Sequence, residues 1–120
     1  MPNAPDFECQ FEFTPDNSAV VIALAGKMDP VAVEELYPQI QEVFRAGLRR
    51  FVFDLSGLEY AGSLGLRLLV GLQNQVKPEG KVAVCGPNDA VRSMLEMTKL
   101  TQVLPPYPTR DEALDATGKK

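Results

Sequence analysis

Apolar and polar residues alternate one for one over Phe7-Glu8-Cys9-Gln10-Phe11-Glu12-Phe13. That is the period of a strand with one face in water, expected here on a sheet edge. Pro15-Asp16-Asn17 reads as a turn. Ala19 to Ala25 is then an almost unbroken apolar, β-branched run, which suits a strand covered on both faces. The two strands are expected to form a hairpin. The period next becomes helical: Val33, Leu36, Tyr37, Ile40, Val43 and Phe44 recur at helical spacing. Asp29 is placed to cap that helix and Pro30 to open it, where a missing N–H costs nothing. Gly47 ends it. Pro38 lies inside and removes the bond to the Glu34 carbonyl, so the pattern predicts a kink or local break.

The second half alternates. Arg50 to Leu55 predicts a strand, followed by a polar-to-small loop and a helix from Ser63 to Val76 that Pro78 closes. Lys81-Val82-Ala83-Val84-Cys85 predicts a short buried strand. Pro87-Asn88-Asp89 turns into a helix with Val91, Met94, Leu95 and Thr98 on one face. Pro105 and Pro106 interrupt the chain. Thr109-Arg110-Asp111-Glu112 is a capping box opening a short helix through Leu114, and Thr117 to Lys120 are expected to fray. Strands alternating with helices indicate βαβ units and a parallel portion of sheet. The fold class is therefore α/β: one mixed sheet of about four or five strands, an antiparallel hairpin followed by βα units. At 120 residues the chain is expected to be one domain over 1–120, with its core at about 7–114.

Composition narrows the chemistry. The net charge is −4, from 12 basic and 16 acidic residues, with no basic cluster beyond Arg49-Arg50 and Lys119-Lys120. Nucleic acid and anionic membrane are poor electrostatic partners for such a chain. There is no histidine, which removes the commonest general base and metal ligand. No metal or other cofactor is expected. Cys9 and Cys85 sit in strand patterns and read as buried free thiols of a reducing compartment. The first residues lack the basic and apolar features of a signal peptide, and no apolar run reaches membrane-spanning length. A cytoplasmic location is expected.

The stretch from Val52 to Arg67 concentrates the candidate chemistry. A strand leads through a loop to Ser63 at the start of an apolar helix, which would present a hydroxyl and free backbone N–H groups together. Ser63 has a structural role available as the helix cap and a functional one as a phosphoacceptor. With Leu66, Leu69, Val70 and Val76 toward the sheet, helical spacing puts Leu64, Leu68, Gly71 and Gln75 on another side, beside Arg67 and Asn74. That stripe is too apolar for a solvated face, so either neighbouring segments bury it or it receives a partner. Asp29 is a helix cap or part of the rim of such a surface. Asp54 and Ser56 are expected to structure the loop. A small enzyme or nucleotide binder using Asp54 and Ser63 is disfavoured by the missing histidine and the missing phosphate loop.

The ordered set of motifs resembles the STAS domain of bacterial anti-sigma-factor antagonists. Leu24-Ala25-Gly26-Lys27-Met28-Asp29 is similar to the family's Leu-x-Gly-x-Leu-Asp, and Phe53-Asp54-Leu55-Ser56 to its strand ending. Gly65-Leu66-Arg67-Leu68-Leu69 resembles the start of its switch helix, and Val91 to Leu100 its third helix and exit. The resemblance implies helices packed mainly on one side of the sheet and no intrinsic catalysis. Members typically bind an anti-sigma factor that is also a serine kinase; others serve in stress-sensing complexes, anion transporters or lipid-transport machinery. The kinase modifies a Ser or Thr just before Gly-Leu in Asp-Ser-Ser/Thr-Gly-Leu, and the modified antagonist lets go. Here that segment is Gly62-Ser63-Leu64-Gly65-Leu66: Gly62 replaces the acid, Leu64 stands at the usual acceptor position, and Ser63 precedes it. The expectation is a regulatory module binding an anti-sigma factor or serine kinase through the 57–65 loop and the following helix. Its candidate contacts are Asp29, Gly62, Ser63, Leu64, Arg67, Leu68 and Gly71, with Ser63 the candidate phosphoserine. The alternative is a constitutive, unphosphorylated scaffold or transporter-accessory STAS domain.

Overall fold

The computed structural model describes residues 7–118. The order is β1 (Phe7–Phe13), β2 (Ala19–Met28), α1 (Pro30–Arg45), β3 (Arg50–Ala61), α2 (Ser63–Val76), β4 (Lys81–Cys85), α3 (Asp89–Met97), a 3-10 turn (Leu100–Gln102), β5 (Pro106–Tyr107) and α4 (Arg110–Gly118). The strands form one sheet in the order β1-β2-β3-β4-β5. The first pair is antiparallel and the remaining three pairs are parallel.

Side-chain alternation divides the sheet into two faces. Phe7, Cys9 and Phe11 of β1, Val20, Ile22 and Leu24 of β2, and Phe51, Phe53 and Leu55 of β3 face one way. Ala32, Leu36 and Ile40 of α1, Leu66, Leu69 and Leu72 of α2, and Val91 and Leu95 of α3 cover them. The opposite face is smaller: Val21, Val52, Ala83 and Cys85 pack against Ala113 of α4. Three helices thus lie on one side and only α4 on the other. Burial of a core aliphatic or aromatic side chain contributes about 1.5–3 kcal/mol, so the three-helix face carries most of the hydrophobic stabilisation.

Several expectations change. The 57–65 segment is not a loop. β3 continues through Gly57 to Ala61, pairing Gly57 with Ala25, Leu58 with Gly26, Tyr60 with Lys27 and Ala61 with Met28. β2 likewise runs on past Ala25 to Met28. Each extension supplies the ladder partner of the other, which neither sequence reveals alone. α1 runs unbroken through Pro38. Its end is as read: Gly47 has φ of +106°, the left-handed conformation glycine adopts without a steric penalty. Cys9 is half-buried rather than buried. The chain after Pro105 adds the two-residue β5, missed in the pattern. α4 does not fray at Thr117: its hydroxyl donates to the Leu114 carbonyl at 2.7 Å and accepts from Arg50 Nε at 3.3 Å. Lys119 and Lys120 lie outside the described residues.

Candidate functional site

The C-terminal ends of β2 and β3 run side by side and feed α1 and α2. This brings Asp29 and Gly62, 33 residues apart in sequence, to the same end of the sheet. Asp29 caps α1, its Oδ1 accepting from the Ala32 N–H at 2.9 Å. The Gly62 N–H donates to the Met28 carbonyl at 3.2 Å. Gly62, not Ser63, is the N-cap of α2, and it contributes no side-chain bond. Ser63 is instead the first helical residue, exposed and not required as a cap. The backbone is extended through Gly62 and already helical at Ser63, so the helix opens one residue earlier than a serine cap would demand.

The first turn of α2 is held close to β2. A Cβ on Gly65 would fall 2.8 Å from Met28 Cε and 2.9 Å from its Cγ, and Met28 is fully buried. Glycine lets the helix approach this closely without displacing Met28. Beside it Leu64 points outward with 45% of its surface exposed, and the Tyr60 ring, half exposed, lies over Gly62. The expected docking edge is thus divided: Ser63 and Leu64 face solvent, whereas Gly65 and Leu66 are buried.

Farther along α2, Arg67, Leu68, Gly71 and Gln75 border a groove of about 240 Å³ whose other wall is Tyr37, Ile40 and Gln41 of α1. The stripe read from helical spacing is therefore partly covered by α1. Gln41 and Gln75 bridge the two helices with reciprocal amide hydrogen bonds of 2.9 and 3.3 Å. Leu72 takes the core position assigned from sequence to Val70, which is only half-buried, and Asn74 lies in solvent outside the groove.

Asp54 and Ser56 sit within β3, not in a loop after it. Between the pairs Ala23–Asp54 and Ala25–Gly57, two residues of β3 stand opposite one of β2, a bulge. Asp54 Oδ1 accepts from the Ser56 N–H at 3.0 Å inside that bulge. Its Oδ2 accepts from Arg110 Nε at 2.7 Å, and Arg110 Nη1 also donates to Glu12 at 2.8 Å. Burial raises the Asp54 pKa, but the Ser56 N–H and the Arg110 guanidinium outweigh it and hold the carboxyl below the usual range. Burial, with the Asp54 charge adding to it, pushes the Cys85 thiol up to about 11, so no thiolate is available there at neutral pH.

Sequence reasoning missed Arg110 and Asn88. Arg110 was read only as part of a capping box. Asn88 caps α3 through Val91 N at 2.8 Å and donates its Nδ2 to the Leu58 carbonyl at 3.1 Å, fastening the extended end of β3. An asparagine after a proline is a local signal for the cap; its second bond depends on β3 lying alongside.

The model of the STAS domain matches residues 10–113. The chain belongs to the STAS domain family. An anti-sigma F factor antagonist of Paenibacillus polymyxa is 26% identical over 107 residues, covering 88% of this domain and 92% of that protein. The crystal structure of an anti-sigma factor antagonist from Mycobacterium paratuberculosis superposes with a TM-score of 0.84 at 30% identity, covering 97% of this domain and 98% of that chain. SpoIIAA in its unphosphorylated form gives a TM-score of 0.79 at 23% identity, covering 91% and 95% of the two chains. Its phosphorylated form gives 0.70. The domain is a member of the anti-sigma-factor-antagonist family, whose proteins are regulatory and not enzymes. Among the described residues no helix is long and apolar enough to cross a membrane.

Proposed function

We propose that this STAS domain is a regulatory module that binds an anti-sigma factor or serine kinase through the end of β3 and the exposed side of α2. The observation that supports this most directly is the pairing of an exposed hydroxyl with an exposed apolar side chain, Ser63 and Leu64, at the opening of a helix. Asp29, Gly62, Arg67, Leu68 and Gly71 extend the surface. Phosphorylation at Ser63 is the control. It places a charge of about −1.5 to −2 where the helix dipole favours an anion. The same charge lies one residue from Leu64 and strips an apolar contact of its value, since a partner would have to desolvate a phosphate beside it.

The test uses purified anti-sigma factors from the organism that supplies the chain. Each is mixed with the domain, with and without ATP, and binding and intact mass are measured. A gain of one phosphate that is absent from Ser63→Ala, with weakened binding, supports the reading; no binding to any of them refutes it. Leu64 favours a second reading, because an aliphatic residue replaces the hydroxyl at the family's usual acceptor position. On that reading the domain is a constitutive scaffold or transporter-accessory module, and binding persists with no change in mass.

A further inference from the structure

Gly71 lies in the interior of α2, is exposed, and a Cβ built on it meets nothing within 4 Å. Glycine in a helix interior costs up to about 1 kcal/mol relative to alanine. The fold gains no close approach in return, because the space over Gly71 is open. That space is part of the groove between α1 and α2, with Ile40 and Leu72 deeply buried at its base and Leu68 half-buried beside them. Its one charged residue is Arg67. Both ion pairs among the described residues belong to Arg110, so Arg67 has no carboxylate within salt-bridge distance there. An acidic chain of net charge −4 therefore presents an isolated cation over an apolar cleft.

We infer that this groove receives an acidic amphipathic helix of the partner protein, one apolar side chain seated over Gly71 and a carboxylate paired with Arg67. The inference rests on the protein-binding reading and adds the chemistry of the partner to it. From Arg67 to Gln75 the border of the groove follows α2 for about 12 Å, eight residues at the helical rise. A third helix lying along two others can match that run, with anchors one turn apart. The missing side chain at position 71 lets it come close, and the Gln41–Gln75 amide pair ties α1 to α2. Arg67 at the edge selects an acidic helix and repels a basic one.

The experiment measures affinity for the anti-sigma factors named above, comparing the wild-type domain with Gly71→Leu, Arg67→Glu and, as a charge control on exposed α3, Arg92→Glu. Thermal melting accompanies each variant. Gly71→Leu fills open space and relieves a helix glycine, so it is expected to melt no lower than wild type. Gly71→Leu and Arg67→Glu are each expected to weaken binding about tenfold or more, with Arg92→Glu within about twofold. If both groove variants bind within about twofold of wild type, the inference is wrong and the protein-binding reading stands. If the wild-type domain binds none of the anti-sigma factors, that reading fails and the inference with it. Sedimentation of the domain alone supplies the remaining outcome: a dimer broken by Gly71→Leu would make a second copy the occupant and overturn the assignment.

Discussion

The first and third turns of α2 each carry a glycine, and the two sit in opposite surroundings. Gly65 is wedged against Met28, where an added methyl would fall 2.8 Å from the side chain. Gly71 stands over open space. The fold explains the first: any side chain there would force the buried Met28 to move. The second is a small loss of helix stability that no internal contact requires. A glycine with a crowded Cβ position reports on the protein's own packing, whereas one with an empty position and an ordinary helical φ is not explained by that packing.

The strongest way to break this contrast is to substitute both turns. Gly65→Val should destabilise the domain by about 3 kcal/mol, through overpacking against buried Met28 and a β-branched residue in a helix. Denaturant melts would show it. Gly65→Ala combined with Met28→Ala should cost less than the sum of the two single changes, because truncating Met28 removes the atoms that the new methyl strikes.

An intermediate effect belongs to the strand that delivers the first turn. Asp54→Ala removes charge-assisted bonds to Ser56 and Arg110 and should cost about 2 kcal/mol, again read from denaturant melts. Asp54 also sets a pH dependence. Its carboxyl titrates lower in the folded chain than in the unfolded one, where the ordinary value is about 3.9. Its contribution is therefore fully present above that value and is lost as pH falls through the folded value. Between pH 5 and pH 2 the wild-type domain should lose more stability than Asp54→Asn does. Equal losses would mean that the bonds from Ser56 and Arg110 to the carboxylate contribute nothing to folding.

The smallest effect sharpens the comparison from the other side. Gly71→Ala should raise stability by up to about 1 kcal/mol, since alanine recovers helix propensity and meets no neighbour. A lower melting temperature would mean that position 71 is internally constrained after all.

Most of the architecture was legible because it is written in local period. β1 announces itself by alternation, α1 by its apolar stripe between Asp29 and Gly47, and α3 by Val91 and Leu95 one turn apart. What was hidden depends on partners distant in sequence. Gly26-Lys27-Met28 and Gly57 to Ala61 resemble loops singly and become strands only against one another. The helix cap falls on Gly62, which has no side chain to signal it, and not on Ser63. Arg110 and Asp54, 56 residues apart, meet only after α4 crosses to the far face of the sheet. The candidate surface was legible as an apolar stripe on α2, but its division into an exposed edge, a buried wedge and a cleft walled by α1 is a tertiary result.

The clasp from Arg110 to Asp54 gives the far side of the sheet a say in the near one. Ser56 is steadied by a carboxylate that α4 itself steadies, at a bulge in the strand that leads to Tyr60, Gly62 and Ser63. A chain cut short ahead of Arg110 would therefore be more than a trimmed version of this domain. It would lose the guanidinium that holds the Asp54 carboxylate at the bulge, so the last helix cannot be treated as a dispensable tail when shorter versions are made for partner screening.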